Sequence, residues 1–578
     1  MDDATREAIE RAAEKAALIN AVKHESDAQV GAILGPLMSD HPEFREHGDE
    51  VASVVGPVVD GVNELDPDQR RERLADLAPD ELDAIEADDA EEAHPLPELP
   101  GVSDVDEVRM RVAPNPNGPW HIGHARMAAV VGTYKQRYDG SFVCRFDDTD
   151  PETKRPDLDA YDAILEAIEY LGYEPDDVVV ASDRLETYYD YARRLIDADA
   201  AYACSCPAEQ FSSLKNAGKA CEHRDRTAAA SRERFDAMID GEYDAGDMVL
   251  RVRTDIEHPN PALRDWVAFR IVDTPHPREA AADYRCWPML DFQSAIDDEL
   301  LGMTHIIRGI DLQDSAKRQG YVYDAFGWEY PEVIHWGHVE VDAYDVPLST
   351  SQIRALIEAG ELDGWDDPRA PTVSSLRRRG IRGEAIVDAL VELGTSTSNV
   401  DLAMSSVYAA NRERIDDEAD RAFLVRDDPD HGGGAVEVGM LGGLETAEPP
   451  VHPDDPDRGT RTIPVGAAVL VESDDLPGHG DRVWLKGLGC VRYIRDAFEP
   501  TGESIDVVRD GSVNVIHWVP ASDSRQTRLR TMEGDVAGYA EPGLTEYPPE
   551  SILQFERVGF ARLDRHDDAE TVAYYAHP

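Results

Sequence analysis

The sequence predicts a multidomain chain with a helical N-terminal part, a central Rossmann-like α/β part and C-terminal all-β barrels. Three patterns lead to this fold class. Ala-rich stretches with the helical spacing of apolar residues run from the N-terminus to about Ile85. A strand, a tight turn and a helix follow one another between Val108 and Arg126, and Val-rich segments separated by Pro, Gly and Asp fill the chain from Phe423 onwards.

The 578 residues are enough for several domains, each with its own core. Changes in pattern predict a helical appendix at 1–86, an acidic, Pro-rich linker at 87–101, the first half of the α/β domain at 102–200, an inserted domain at 201–283, the second half at 284–368, a helical segment at 369–420 and barrels at 421–578. In the appendix, helices are expected over 9–22, 30–38, 51–62 and 69–77. In the barrels, strands are expected over 434–440, 462–471, 482–491, 505–508 and 514–519.

The charge of the chain is unusual. Asp and Glu number 118 against 57 Lys and Arg, for a net charge of -61, whereas nucleic-acid binders normally have the opposite balance. A hydrophobic content of 42% argues against disorder. We interpret the acidic surface as an adaptation to a cytosol of very high salt, where repulsion is screened over a few ångströms. Six cysteines, with neither a cleavable signal nor a long apolar run, predict a reducing cytoplasmic location.

The stretch from Val108 to Arg126 has the features of a nucleotide site. Gly118 and Gly123 allow a ligand to approach the backbone closely, and the helix that follows offers unpaired N–H groups to phosphates. His121 and His124 stand at the start of this helix, where two imidazoles can donate hydrogen bonds to a phosphate under attack. The sequence therefore predicts chemistry on a phosphate here, with two surface histidines in an ordinary loop as the alternative.

His-Ile-Gly-His directly after Pro-Asn-Pro-Asn-Gly-Pro resembles the signature of class I aminoacyl-tRNA synthetases in the glutamyl/glutaminyl branch. Further motifs extend the resemblance over nearly the whole chain, and its barrels resemble the anticodon-binding barrels of archaeal-type glutamyl-tRNA synthetases. The resemblance implies ATP-dependent activation of L-glutamate and transfer to the 3′ end of tRNA-Glu, with tRNA-Gln as a further candidate. It also implies ATP with Mg as cofactor, an insert that binds the tRNA acceptor end, and a monomer without a membrane partner.

The resemblance also assigns an amino-acid pocket. Arg308 is expected to pair with the side-chain carboxylate of glutamate, because a guanidinium forks onto two oxygens with charge-assisted hydrogen bonds. The amide of glutamine would leave a donor facing donors. Arg111, at the end of the first strand, is a second candidate partner for a substrate carboxylate. Asp147, directly after a strand at 141–146, is a candidate partner for the substrate ammonium.

One pocket position departs from the family pattern. Leu290 stands where the family usually has Tyr, so a hydroxyl contact to the substrate is missing or comes from elsewhere. Trp287 and Ser294 are the candidates for this contact. Ala113 completes the expected amino-acid pocket.

The segment 346–354 falls where class I synthetases have a second signature, a loop whose lysine clamps the ATP phosphates. Its hydroxyls fit this role, but Gln352 stands where relatives have a cation, so Arg354 or backbone N–H groups are expected to stabilise the pyrophosphate. The residues expected to be catalytic are His121, His124, Ser349, Thr350 and Ser351. Those expected to bind ATP are Pro114, Asn115, Pro116, Asn117, Gly118, Gly123 and Arg354.

A metal site is predicted in the insert. Cys204 and Cys206 form one close pair of ligands, and Cys221 and His223 form another. Together they supply four N and S donors to one tetrahedral zinc, and a closed set of this kind is structural rather than catalytic. The alternative is four unrelated residues in a flexible insert.

Several alternatives stay open at this stage. The run Arg377–Arg382 is expected to open a helical segment and either to contact the tRNA backbone or to balance nearby acids. Trp518 and His517 either stack on bases or fill a barrel. The helical appendix either touches tRNA or solubilises the chain. At the level of function, a glutaminyl-tRNA synthetase and a non-catalytic tRNA-binding protein are the alternatives.

Overall fold

The computed structural model describes residues 3–23, 28–40, 44, 48–63, 65–79, 81–82, 94–428 and 433–578. The chain divides into two compact units, Met1–Glu98 and Leu99–Pro578. Residues 87–93 of the predicted linker lie outside the described residues. No helix in these ranges is long and apolar enough to cross a membrane.

The first unit is helical, as predicted. Its helices are α1 Asp3–Lys23, α2 Val30–Asp40, α3 Gly48–Asn63 and α4 Pro67–Leu77. Ile9, Leu18 and Val55, apolar residues at helical spacing, belong to one buried core. Helix α4 begins at a capping box, in which the carboxylate of Asp66 accepts a hydrogen bond from the backbone N–H of Gln69 at 2.9 Å.

The second unit begins with an α/β domain that carries an antiparallel insert. Its strands are β1 Arg109–Val112, β2 Ser141–Phe146, β3 Asp177–Val180, β4 Ala201–Cys204, β5 Val249–Val252, β6 Val267–Ile271, β7 Cys286–Pro288, β8 His305–Gly309, β9 Glu332–Trp336, β10 Val339–Val341 and β11 Val400–Leu402. Its α-helices are α5 Ile122–Tyr138, α6 Leu158–Tyr170, α7 Leu185–Asp197, α8 Ala208–Asn216, α9 Ala228–Ile239, α10 Leu290–Leu300, α11 Gln313–Phe326, α12 Thr350–Glu358, α13 Val373–Arg379, α14 Gly383–Val391 and α15 Met404–Ile415.

The parallel strands define where a ligand can bind. Strands β3, β2 and β1 form one parallel sheet in that order, and β8 and β9 form a parallel pair. A hydrogen bond from the N–H of Thr304 to the carbonyl of Arg109 (2.9 Å) joins the start of β8 to the start of β1. The strand order therefore reverses between β1 and β8. In doubly wound sheets, ligands bind outside the carboxyl ends of the strands at such a point.

The insert folds as a four-stranded antiparallel sheet in the order β4-β5-β6-β7, with α8 and α9 between β4 and β5. Its last strand, Cys286–Pro288, lies beyond the predicted boundary at residue 283 and leads directly into α10. The insert is thereby joined without a linker to the second half of the α/β domain.

The arginine run at 377–382 differs from the prediction. Arg377 to Arg379 end helix α13, and Arg382 is the N-cap of α14, so a helical segment does follow the run to Ile415, but the run also closes an earlier helix that was not predicted. Arg379 is buried and donates hydrogen bonds to the carbonyls of Tyr575 (3.0 Å) and Ala576 (2.6 Å). Arg378 forms ion pairs with Asp366 and Asp564. These two arginines balance acids and satisfy carbonyls, and so hold the C-terminal end of α13 against the end of the chain.

The C-terminal part forms two seven-stranded sheets. Its strands are β12 Asp420–Ala422, β13 Leu424–Arg426, β14 Ala435–Met440, β15 Thr446–Ala447, β16 Ile463–Pro464, β17 Ala468–Glu472, β18 Arg482–Leu485, β19 Gly489–Ile494, β20 Ala497–Pro500, β21 Val515–Ile516, β22 Val519–Pro520, β23 Arg525–Arg530, β24 Asp535–Ala540, β25 Ile552–Phe555, β26 Gly559–His566 and β27 Thr571–His577. The sheet orders are β21-β18-β19-β20-β14-β17-β22 and β12-β25-β26-β27-β23-β24-β13.

Four predicted strands of the barrels are wrong in detail. Residues 462–471 form two strands, β16 and β17, separated by Gly466 at a positive φ of 71°, and residues 514–519 hold β21 and the start of β22. Residues 482–491 form a hairpin of β18 and β19, because Gly487 adopts a positive φ of 71° in the turn between them. Residues 505–508 were predicted as a strand from their Val pair, but Asp506–Arg509 is a short helix, α16. A hydrogen bond from the N–H of Asp506 to the Ser504 hydroxyl (3.4 Å) lies at its start, so local turn chemistry outweighs the β-propensity of valine.

Trp518 and His517 lie in the core formed by the first of these two sheets. Trp518 is fully buried and its indole N–H donates to the carbonyl of Lys486 at 3.0 Å. His517 is buried with its Nε2 3.6 Å from the carboxylate of Glu472. In this conformation neither ring is accessible for stacking on a base.

Candidate functional site

The Pro-Asn-Gly turn after β1 is held by the loop that follows β2. The N–H of Asp147 donates to the carbonyl of Pro114 at 2.9 Å, and the N–H of Asp157 donates to the carbonyl of Pro116 at 2.8 Å. On its other side, Val373 at the start of α13 donates its N–H to the carbonyl of Trp120 at 3.0 Å. The turn is therefore fixed before any ligand binds.

Both glycines of the signature lie against other parts of the chain, and close packing leaves no room for a side chain at Gly118 and little at Gly123. A Cβ at Gly118 would lie 2.4 Å from Cγ2 of Thr350, and one at Gly123 would lie 3.1 Å from Nδ1 of His121. Packing within the chain explains why glycine stands at these positions, without the predicted close approach of a ligand. Gly118 instead lets the signature turn touch the first residue of α12, which brings the two predicted nucleotide-binding segments together.

His121 and His124 stack on each other, with ring centroids 3.7 Å apart. The Nδ1 atom of each is buried without a hydrogen-bond partner among the described residues. Burial lowers the pKa of His121 to about 4. Burial, with the nearby charges of His121 and Lys154, holds the pKa of His124 well below its usual range. Both imidazoles are therefore neutral near pH 7, and any positive charge at this site must come from other residues.

The free energy of unfolding is expected to fall from pH 6.5 to pH 4 because of His121. Its pKa drops from 6.5 to about 4 on folding, so the unfolded chain binds the proton more tightly in this window. The shift corresponds to about 3 kcal/mol of unfolding free energy. The protein has this stability in full above pH 6.5 and loses it as the pH falls to 4. Urea unfolding in high salt is expected to lose less stability on acidification in His121→Asn than in the unchanged protein, whereas equal losses would contradict this origin.

A cavity of about 690 Å³ lies at the carboxyl ends of β1, β2 and β8 and reaches the start of α12. Fourteen of the residues predicted for the site line it: Arg111, Ala113, Pro114, Asn115, Asn117, His121, His124, Asp147, Leu290, Ser294, Arg308, Ser349, Thr350 and Ser351. We call the part of the cavity lined by the two histidines and by Ser349, Thr350 and Ser351 its nucleotide end, and the part lined by Arg111, Asp147 and Arg308 its amino-acid end. The structure thus brings the predicted nucleotide and amino-acid residues into one cavity.

Five predicted residues do not line the cavity: Pro116, Gly118, Gly123, Trp287 and Arg354. Trp287 is fully buried and stacks on His276 with 5.3 Å between ring centroids, so the predicted contact to the amino acid is not available from it. Arg354 forms an ion pair with Asp157 (2.6 Å) and donates to the carbonyl of Asn117 (2.8 Å). Arg354 therefore supports the signature turn and does not face the cavity, where it was expected to contact the phosphates of ATP.

A buried ion-pair cluster forms the floor of the amino-acid end. Arg111 donates two hydrogen bonds to Asp298, at 2.8 and 3.2 Å. Arg145 donates to Asp298 at 2.8 Å and to both carboxylate oxygens of Asp147, at 2.7 and 3.2 Å. Although burial acts to raise the pKa of Asp298, the guanidiniums of Arg111 and Arg145 hold it at about 2. Asp298 is therefore ionised and orients both arginines.

Arg308 is the member of this cluster without a full set of partners. Its Nη1 donates to Oε1 of Gln319 at 3.0 Å, and its Nη2 lies 3.7 Å from the carboxylate of Asp298. Nε and Nη2 are buried with no hydrogen-bond partner among the described residues. An unsatisfied buried guanidinium is costly, so its presence beside a cavity indicates that an anion completes it.

The charges of the cluster support the same conclusion. Ion pairs connect four guanidiniums and three carboxylates within the described residues: Arg111, Arg145, Arg184 and Arg308 with Asp147, Asp297 and Asp298. One positive charge is left unmatched, at the residue whose donors are unpaired. The cluster therefore carries a surplus positive charge beside the cavity, which an anionic group can balance.

Sequence reasoning missed three residues at this site. Arg145 organises Asp147 and Asp298, and the signal for it is a charged residue inside a strand that is otherwise uncharged. Gln319 orients Arg308, and its carbonyl oxygen also accepts a hydrogen bond from Tyr330 at 2.5 Å. Lys154 lines the cavity. Neither Gln319 nor Lys154 carries a sequence signal beyond its position in a loop or helix near a motif.

The predicted metal ligands come together in the insert. The donor atoms of Cys204, Cys206, Cys221 and His223 lie within 4.8 Å of one another, and all four residues are buried or half-buried. The sulfurs of Cys204 and Cys221 are 3.9 Å apart. Tetrahedral zinc with thiolate bonds of ordinary length needs a sulfur separation of about 3.8 Å. The donor set and its spacing fit zinc.

Comparison with known proteins identifies the class to which this fold and site belong. Residues 107–417 match the family described as tRNA synthetases class I (E and Q), catalytic domain. Residues 419–509 and 515–564 match the two anticodon-binding domains described for the same family. The chain belongs to the class I tRNA synthetases of the E and Q family.

Within this family, the chain is similar to proteins that bear one name. It is 70% identical to the glutamate–tRNA ligase of Haloarcula marismortui and 67% identical to that of Natronomonas pharaonis, over 100% of both chains in each case. It is 42% identical to the glutamate–tRNA ligase of Methanosarcina acetivorans, over 98% of both chains. The similarity includes the helical N-terminal unit.

Proposed function

We propose that the protein is a glutamate–tRNA ligase. It activates L-glutamate with ATP to glutamyl-adenylate and transfers the glutamyl group to the 3′ end of tRNA-Glu, with tRNA-Gln as a second candidate acceptor. The observation that carries the choice of amino acid is the buried guanidinium of Arg308 beside the cavity, whose Nε and Nη2 have no hydrogen-bond partner among the described residues. The full-length similarity to proteins named glutamate–tRNA ligase supports the same function.

The pocket favours a carboxylate over an amide. The side-chain carboxylate of glutamate accepts hydrogen bonds from Nε and Nη2 of Arg308 and supplies the missing negative charge. The amide of glutamine would turn a donor towards these N–H groups and leave the surplus charge unbalanced. Asp147 lines the same cavity and is assigned to the substrate ammonium. The glutaminyl alternative is not favoured.

Activation is a displacement on the α-phosphate of ATP. The α-carboxylate of glutamate attacks this phosphorus, the bond to the bridging oxygen breaks, and pyrophosphate leaves with the electron pair. His121 and His124 act as neutral hydrogen-bond donors, and the start of α12, with Ser349 and Thr350, offers further donors. Mg²⁺ bound with ATP would neutralise part of the triphosphate charge. Positioning and charge stabilisation account for the rate, without a covalent enzyme intermediate.

Aminoacylation assays test this function. The full chain, kept in molar KCl, is expected to catalyse ATP–pyrophosphate exchange with glutamate in the presence of tRNA and to charge tRNA-Glu. Parallel reactions with tRNA-Gln decide the range of acceptors. Preference for glutamine over glutamate would overturn the proposal, and a complete lack of exchange would favour the non-catalytic tRNA-binding alternative.

The insert is proposed to hold one structural zinc through Cys204, Cys206, Cys221 and His223. Metal analysis of the purified chain is expected to give about one zinc per molecule, because the four donors close a tetrahedral site. Cys221→Ser is expected to lose the zinc and to lower the Tm of the insert. Cys490→Ser, outside the cluster, is the matched control. Full stability without bound zinc would contradict a structural metal.

We place the enzyme in the cytoplasm. We expect it to be a monomer, and light scattering in high salt can test this oligomeric state. The acidic surface fits a salt-rich cytoplasm, since screening weakens both its self-repulsion and its repulsion of tRNA.

A further inference from the structure

The nucleotide end of the cavity binds a strongly anionic group with few positive charges. His121 and His124 are neutral, and the hydroxyls of Ser349, Thr350 and Ser351 carry no charge. The helix starts at α5 and α12 contribute only partial charges. Mg²⁺ bound with ATP would neutralise part of the triphosphate charge, and a cation of the protein is needed for the charge that develops on the departing pyrophosphate.

Four cations line the cavity within the described residues: Arg111, Lys154, Arg270 and Arg308. Arg111 is bound to Asp298, and Arg308 faces the amino-acid end. Arg270 pairs with Asp150 at 2.9 Å and with Glu152 at 3.7 Å. No ion pair or hydrogen bond joins the ammonium of Lys154 to another described residue. Lys154 is thus the cation that remains available to a ligand.

The loop that carries Lys154 is held in place on both sides. Asp150 accepts hydrogen bonds from the N–H groups of Glu152 (3.2 Å) and Thr153 (3.0 Å), which close a turn just before the lysine. After it, Arg155 donates to the carbonyl of Pro275 at 2.7 Å. The proximity of its ammonium to His124 is reflected in the lowered pKa of that histidine. Lys154 is therefore presented to the histidine end of the cavity.

We propose that Lys154 is a catalytic residue whose ammonium contacts the departing pyrophosphate during glutamate activation. This inference rests on the proposed function. As the carboxylate oxygen bonds to the α-phosphorus, the bond from that phosphorus to the bridging oxygen breaks. The electron pair stays on pyrophosphate, and the ammonium, which remains protonated, stabilises the charge that develops there. A flexible lysine suits a group that must leave after each cycle.

Arg354 and Gln352 lie in the segment where a phosphate-binding cation was expected from the sequence, but neither supplies this charge. Arg354 is committed to Asp157 and to the carbonyl of Asn117. Gln352 is uncharged and does not line the cavity. Lys154 comes from a different segment, the loop between β2 and α6, and so replaces a charge that the loop before α12 lacks.

The experiment measures ATP–pyrophosphate exchange in molar KCl, in the presence of tRNA-Glu, for Lys154→Ala, Lys154→Arg and the control Lys317→Ala, an exposed lysine of α11 that does not line the cavity. Lys154→Ala is expected to lower kcat by about 100-fold while the KM for glutamate changes less than about threefold. The inhibition constant for pyrophosphate is expected to rise by about tenfold or more. Lys154→Arg is expected to recover most of the rate, and Lys317→Ala to match the unchanged protein.

The double variant Lys154→Ala/Gln352→Lys separates lost charge from lost structure. Gln352 itself does not line the cavity, but a lysine at this position in the first turn of α12 extends further than glutamine, and it is expected to restore about tenfold of the rate by bringing a cation towards the same phosphates. A kcat and pyrophosphate inhibition in Lys154→Ala equal to those of the unchanged protein would overturn the inference, as would an effect confined to the KM for glutamate. Absence of glutamate-dependent exchange in the unchanged protein would instead overturn the proposed function.

Discussion

Arg308→Leu is expected to lower kcat/KM for glutamate by roughly 30- to 5,000-fold. Loss of one partner from a buried, hydrogen-bonded charge pair costs about 2 to 5 kcal/mol, and here the remaining partner is the substrate carboxylate. The apolar replacement also leaves Oε1 of Gln319 with one donor, Tyr330, in place of two. The measurement is glutamate-dependent ATP–pyrophosphate exchange over a range of glutamate concentrations, so that KM and kcat are separated.

Arg308→Lys and Arg193→Leu are the controls for this result. Arg308→Lys keeps the charge and loses the fork, so its activity is expected to lie between those of Arg308→Leu and the unchanged protein. Arg193 of α7 pairs with Asp190 and with Asp236 of α9 and does not line the cavity, so its replacement is expected to leave the kinetics unchanged. If Arg308→Leu kept the parent kcat/KM for glutamate, the amino-acid pocket would have to lie elsewhere.

His124→Ala is expected to slow adenylate formation by about 100- to 1,000-fold. A preorganised donor to a phosphate under attack contributes about 2.7 to 4 kcal/mol in related charge-stabilising sites. Because the imidazole is neutral, its loss is expected to be independent of pH between about 6 and 8. Single-turnover measurements with radiolabelled ATP give the rate of the chemical step directly.

His124→Asn tests whether a donor or only volume is missing. His124 is half-buried and packs on His121, so the alanine variant also removes packing, and circular dichroism must show that it is folded. The asparagine side chain keeps an N–H donor and is expected to recover part of the rate. His479→Ala, in an exposed barrel loop, is the control for histidine replacement in general. A normal single-turnover rate in His124→Ala would remove the histidine pair from the mechanism.

The elements that the sequence predicted well are those with a strong periodic pattern and a buried face. Residues 141–146 are an example, since the strand is buried at every position and no turn residue interrupts it. Residues 505–508 show the opposite case, because a Ser-Ile-Asp start favours a helical turn that a short Val pair does not override. Short exposed segments depend on single hydrogen bonds, which a pattern of residue types does not reveal.

The candidate site shows the same contrast, between residues that a motif predicts and contacts that only the folded chain reveals. Sequence motifs predicted His121, His124 and Arg308 as site residues, and the structure places all three around one cavity. The partners of each charge were not predictable, because they come from distant segments. Arg354 has the right charge and the right motif, yet it is neutralised by Asp157, which lies 197 residues away in sequence. The neutrality of the histidines likewise depends on burial that only the folded chain reveals.

Helix α13 has a mechanical consequence for the whole second unit. One end is pinned to the signature turn through Val373 and Trp120, and the other end is locked by Arg379 to the carbonyls of Tyr575 and Ala576. A strut of seven residues thus spans from the turn that carries the histidines to the final strand of the chain. The C-terminal sheet and the turn that carries the histidines therefore share one stiff connection.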